Sequence, residues 1–121
     1  MAEEKAKICC MFSDPVPGHA ADNKSLEGLV SDERTRREET VCRCKKCGAF
    51  VLYRYEETTF YSGWDNVDID EYYYPIEDPT VDGTLNSFPE EIHIISGSKY
   101  LHCMYREEDW KKDRSWFFNE T

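Results

Sequence analysis

The sequence predicts a mainly β fold, a small antiparallel sheet of about four to six strands with one helix or none. Three observations carry this. Residues 49–61, "AFVLYRYEETTFY", are rich in β-branched and aromatic side chains, with Phe50 and Leu52 on one face and Val51 and Tyr53 on the other. Residues 67–76, "VDIDEYYYPI", alternate apolar and acidic positions. Residues 92–105, "IHIISGSKYLHCMY", place two apolar runs on either side of "SGS", the pattern of a β-hairpin with Gly97 free to take positive φ. A β-rich α+β arrangement is the alternative. The 121 residues suit a single domain over residues 1–121, with one core.

Taken in order, "KICCMF" is a short strand candidate, and the Pro/Gly/Asn-rich stretch after it predicts a loop over residues 11–24. "SLEGLVSDERTRREE" fits two readings. Ser25 could cap a helix, but Gly28 and a weak apolar stripe argue against one, and an extended strand leading into the cysteines fits equally well. Arg34, Arg36 and Arg37, interleaved with acids, read as a solvated face. Pro75 places the end of its strand at an edge or outside the sheet. Residues 76–90 form a turn-rich loop, and "RSWFFN" supplies a last strand. There is no internal repeat. The opening "MAEEKAKICC" lacks a signal-peptide apolar run, and no stretch approaches the roughly 18 apolar residues of a membrane span. The expectation is a soluble, cytoplasmic protein without membrane association.

The net charge of -10 is unevenly spread. Between residues 55 and 98 there are eleven acids and no Lys or Arg, while the rest of the chain has fourteen acids against fifteen bases. Such a field repels a phosphate backbone and favours a cationic partner. The plainer reading is that negative charge keeps a small protein in solution. Arg43, Lys45, Lys46 and Arg54 could touch nucleic acid, but the acidic segment opposes direct nucleic-acid binding.

Three of six cysteines fall within residues 42–47. In a reducing compartment clustered cysteines more often hold metal than form disulfides, although three disulfides in a secreted domain are the alternative. Cys44-x-x-Cys47-Gly48 lets two thiolates reach one ion from a tight turn, with Gly48 allowing the backbone to pass beneath it. This short piece resembles the metal knuckle of zinc ribbons, in which a CxxCG turn links two strands. The resemblance implies a metal-ligand role for Cys44 and Cys47 alone, because no second CxxC follows.

The other two ligands must come from elsewhere. Cys9 and Cys10 are adjacent, so both can ligate only if the chain bends there. His102 and Cys103 face the same limit, and Cys42 would share the face of Cys44 in a continued strand. The preferred set is Cys9, Cys10, Cys44 and Cys47, because a metal would anchor an otherwise poorly tied N-terminal strand; Cys42, His102 and Cys103 are alternates. A thiolate-rich tetrahedral site favours structural zinc, with iron second. The bland reading is that Cys9, Cys10 and Cys103 are ordinary small apolar core residues.

Other chemistries find less support. Lys45 and Lys46 would favour a thiolate at Cys44 or Cys47, but redox CxxC motifs precede helices and β-type residues follow here. Cys103 with His93 or His19 could form a nucleophile pair, yet any chain of this composition contains such combinations. "GWDNVDIDE" lacks the glycine and glutamate positions of a calcium loop. No catalytic residues are assigned. Trp64, Asp65, Asp68, Asp70, Tyr72, Tyr73 and Tyr74 combine acid with aromatic contact area, the mixture found in binding surfaces, although tyrosines alternating between core and surface would look the same.

These features imply a small acidic, zinc-stabilised protein that binds a basic protein. In size and charge the chain is similar to bacterial immunity proteins, a resemblance that implies a toxin-neutralising role, with a nuclease toxin among the partners. Other expectations are a zinc-ribbon-like accessory module in transcription or translation, or a thiol- or metal-dependent enzyme.

Overall fold

The computed structural model describes residues 8–13, 26–61, 65–95, 98–106 and 111–118. Within them a 3-10 turn, Cys10–Ser13, precedes six strands: β1 (Leu26–Arg34), β2 (Arg37–Cys44), β3 (Phe50–Tyr61), β4 (Asp65–Ile76), β5 (Lys99–Arg106) and β6 (Lys111–Phe118). The strands form one antiparallel sheet in chain order, so each pairs with its neighbour in sequence. The mainly β expectation therefore holds. Residues 26–44 take the extended reading rather than the helical one. They fold as the β1–β2 hairpin, closed by a two-residue turn in which Arg36 has φ 61°. With Gly28 in the middle and acids and arginines spread around it, this segment has no apolar helical stripe to bury.

Strand alternation puts side chains on two faces, and both carry core. On the first face Cys42, Cys44, Val51, Leu101 and Cys103 are buried, with Tyr53 and Tyr73 packed against them. Cys9, Met11 and Phe12 from the N-terminal turn cover this cluster. On the second face Val41, Leu52 and Ile76 are buried beneath Leu85, Phe88 and Ile92 from the long β4–β5 connection. The register explains the division: Cys42 lies opposite Val51, and Val41 opposite Leu52, so neighbouring strands send like residues to the same face. The two-faced apolar pattern of Phe50 to Tyr53 corresponds to these two clusters.

Besides the short strand expected at "KICCMF", where Cys10–Ser13 is a 3-10 turn instead, two sequence expectations need correction. Residues 92–95 and 99–104 do not form a hairpin. Residues 92–95 instead return to the end of β4, where Ile94 bridges Ile76 and the Ile95 N–H donates to the Pro75 carbonyl at 3.0 Å. β5 pairs along β4 from Tyr73 opposite Leu101 to Asp68 opposite Arg106. The first apolar run is accounted for by Ile92 packing on the second-face cluster, and β4 offers β5 a longer edge than four residues could. Ser96 and Gly97 lie outside the described residues. The second correction concerns loop limits. Ile76 belongs to β4, and Met11 to Ser13 lie in the 3-10 turn, while residues 14–24 fall outside the described set. Pro75 sits where the β4–β5 ladder has ended, consistent with its missing N–H.

Candidate metal centre and the two sheet faces

The knuckle is the turn between β2 and β3. Cys44 ends β2, its N–H donates to the Ala49 carbonyl at 2.8 Å, and the Gly48 N–H returns to the Cys44 carbonyl at 2.8 Å. Gly48 closes the turn with φ +79°, a left-handed conformation that a side chain would strain. The turn thus points the thiols of Cys44 and Cys47 toward one spot on the first face.

The N-terminal segment brings two more thiols to that spot. From Cys10 the chain forms the 3-10 turn, fixed by the Phe12 N–H donating to the Cys9 carbonyl at 3.0 Å. This bend lets adjacent cysteines serve one centre. The sulfurs of Cys9, Cys10, Cys44 and Cys47 all lie within 4.8 Å of one another, and Cys10 and Cys44 are 3.8 Å apart. Four sulfurs at about 2.3 Å from a tetrahedral ion would stand about 3.8 Å from each other. The four cysteines could therefore hold a metal ion. None of the six cysteines is joined in a disulfide.

The surroundings of the sulfurs differ. Burial pushes the Cys9 thiol well up, although the Met11 N–H beside it favours the thiolate. Burial acts on Cys47 too, but N–H groups of Ala49 and Cys10, with the thiols of Cys44 and Cys9, outweigh it and bring Cys47 down to about 7. Backbone N–H groups aimed at sulfur are what a thiolate–metal centre uses to support its ligands. Cys42 stands apart: burial raises its thiol to about 11, and it donates weakly to the Thr40 carbonyl at 3.8 Å.

Of the alternates, Cys42 and Cys103 share the first face but are not among the four converging thiols. His102 is on the opposite face. Its Nε2 lies 2.8 Å from Asp70 Oδ1, and its ring stacks on Tyr72 with centroids 4.5 Å apart. Neither described histidine is placed as a base for a thiol, since His93 contacts Glu91 at 3.5 Å. His19 lies outside the described residues.

The expected acidic, aromatic patch is divided by the register. Trp64 lies outside the described residues, and Asp65 is placed only by its backbone, opposite Tyr61. Tyr73 packs on the first face against Tyr53, with centroids 5.1 Å apart. Tyr72 and Tyr74 belong to the second face with Asp68 and Asp70, whose charges are paired rather than open. Arg106 lies 3.7 Å from Asp68 and 3.0 Å from Asp70. Burial alone would raise the Asp70 carboxyl, but hydrogen bonds and charge from His102 and Arg106 hold it below its ordinary range. Arg54 and Arg37 likewise pair with Glu39 and Glu56.

Unpaired acids sit on the first face instead, beyond the thiols. Tyr53 donates to Glu71, Tyr55 to Glu57 at 3.2 Å, and Thr40 to Glu38 at 3.3 Å. Among the described residues no basic side chain pairs with Glu38, Glu57 or Glu71. Sequence reasoning missed this set because the acids come from three strands.

It also missed the aromatic array on the second face. Tyr72 and Tyr74 on β4, Tyr100 and His102 on β5, and Phe117 on β6 form a closed circuit of ring contacts. The i, i+2 spacing of Tyr72 with Tyr74 and of Tyr100 with His102 is visible in the sequence, but only the register makes them neighbours. Arg54 adds a guanidinium 5.6 Å from the Tyr74 ring centre. Burial raises the Tyr74 hydroxyl to about 12, with Arg54 opposing it. Among the described residues, no helix is long and apolar enough to cross a membrane. No family model, curated protein or solved structure matches this chain.

Proposed function

We propose that this chain is a small acidic binding protein, its fold tied by one structural zinc ion, that engages a basic protein partner. The observation that carries the metal half is the convergence of four thiols within 4.8 Å from two separate segments. Four thiolates that close repel one another, and a divalent cation offsets that repulsion; a closed all-thiolate set suits zinc with no open position for chemistry. Zinc would supply folding energy to a chain with two small cores, in the manner of the zinc-ribbon knuckle that the Cys44 to Gly48 turn resembles.

The binding half is supported by the net charge of -10 and by Glu38, Glu57 and Glu71, which carry no paired base among the described residues. Such a field would speed encounter with a cationic protein, a nuclease toxin being one such partner, and would weaken as salt screens it. Affinity capture from the native host, at low and high salt, followed by identification of the bound protein, tests this reading. Recovery of a basic protein whose capture falls with salt is expected. Capture of acidic partners alone, indifferent to salt, would remove the electrostatic argument.

A further inference from the structure

The four converging thiols are not equally reachable. Cys9 and Cys44 are buried, Cys47 is half-buried, and Cys10 is exposed. A dissolved oxidant therefore meets Cys10 first. The Cys44 sulfur stands 3.8 Å from the Cys10 sulfur. That pair also joins two separate segments, since Cys10 begins the N-terminal turn and Cys44 ends β2. Met11 and Phe12, next to Cys10, are buried and seat the turn on the core, which holds the two sulfurs together. A bond within the knuckle, between Cys44 and Cys47, would leave the turn untied. Cys42 and Cys103 are buried in the same cluster but lie outside the quartet.

Resting on the reading of one metal ion in the quartet, we infer that Cys10 and Cys44 form an oxidation site, at which hydrogen peroxide exchanges the metal tie between turn and knuckle for a covalent one. The Cys10 thiolate attacks one peroxide oxygen; an S–O bond forms, the O–O bond breaks, and hydroxide leaves. The Cys44 thiolate then attacks the sulfenic sulfur, forming the S–S bond and expelling a second hydroxide. Both thiolates are oxidised to one disulfide, and one peroxide is reduced.

Only Cys9 and Cys47 are then left to ligate, half of a tetrahedral set, so the ion is released. The turn stays on the core, because the disulfide spans the gap that the ion had bridged. The bond also closes the chain from Cys10 to Cys44, which restricts the unfolded state. A thiol reductant reverses the exchange. Metal loss by chelation and metal loss by oxidation thus have opposite consequences: the first frees the turn, and the second fixes it.

The test begins with the metal content of the reduced full-length protein, which reads the metal centre on its own. Stoichiometric hydrogen peroxide is then added, and the disulfide is located by peptide mass spectrometry of the unaltered protein. A Cys10–Cys44 linkage is expected, with stoichiometric release of zinc. The oxidised protein should melt cooperatively in strong chelator, and should lose that transition when a thiol reductant is added with the chelator. Linkage between any other pair of cysteines would overturn the assignment while leaving the metal centre in place. So would zinc retained after peroxide, or cooperative melting lost with it. Reduced protein that holds neither zinc nor iron would overturn the metal centre and the exchange together.

Discussion

On the first face of the sheet the described part of the cover, residues 8–13, meets the core through Cys9, Met11 and Phe12. On the second face residues 77–95 contribute Leu85, Phe88 and Ile92; the Glu77 N–H closes them on themselves at the His93 carbonyl, and the Ile95 N–H ties them to β4 at the Pro75 carbonyl. The second cover is held by ordinary means, apolar area and backbone hydrogen bonds. The first brings two thiols, Cys9 and Cys10, against two others, Cys44 and Cys47. The difference teaches where an ion could join a cover to its sheet: at the face on which four thiols converge from two separate segments.

The largest effect should come from cutting the link between lid and knuckle. Cys44→Ser and Cys47→Ser are each expected to abolish metal retention and cooperative melting, because each removes one of four convergent thiolates. Cys103→Ser, which alters the same face outside the quartet, should keep its metal. Metal content by mass spectrometry alongside thermal melts distinguishes the three, and full retention in Cys44→Ser would take the knuckle out of the account.

Next comes the second face, where the expected loss is of packing alone. Leu52→Ala or Ile76→Ala should destabilise by about 2–5 kcal/mol, the usual range for truncating a large buried side chain. Metal content should not change. Denaturant unfolding of the variants with metal present reads this, and loss of metal from Ile76→Ala would show the two faces to be coupled more tightly than two separate clusters allow.

A smaller effect belongs to Asp70. Its carboxyl is held below the ordinary range in the folded protein. The stability it contributes is present above the unfolded carboxylate value, about 3.9, and is lost as pH falls through the lower folded value. Asp70→Asn should cost about 1–3 kcal/mol near neutrality by leaving Arg106 and His102 with a poorer acceptor. It should also lose less stability than the unaltered protein on acidification below about pH 4. Parallel acid-limb slopes in the two proteins would contradict this. The smallest effect is at the β4–β5 connection. There Asp78→Ala removes the acceptor for the Thr80 N–H, 2.8 Å away, and should cost about 1 kcal/mol.

How far the sequence could be read follows from which facts are local. The knuckle was legible because its chemistry lies in five consecutive residues, and the two-faced core because four successive positions of β3 already alternate. The bend at Cys9 and Cys10 followed from asking how two adjacent thiols could share a centre. Pairing was not local. Asp68 and Asp70 read as free acids because their partners, Arg106 and His102, stand more than thirty residues away, across a connection whose length gives no register. For the same reason the run from Ile92 to Ile95 read as a hairpin arm. Apolar periodicity tells which side of a strand is buried, not which strand lies beside it. The three successive tyrosines looked like one patch for want of the same information; alternation sends Tyr73 to the other face.

The account rests on one ion joining the N-terminal turn to the β2–β3 knuckle. The most direct measurement is metal content of the purified full-length protein, followed by its melting transition before and after a strong chelator. One zinc per chain, with the cooperative transition lost on chelation and regained on adding zinc, is the expected result. Protein that contains neither zinc nor iron, and melts identically with and without chelator, would contradict it.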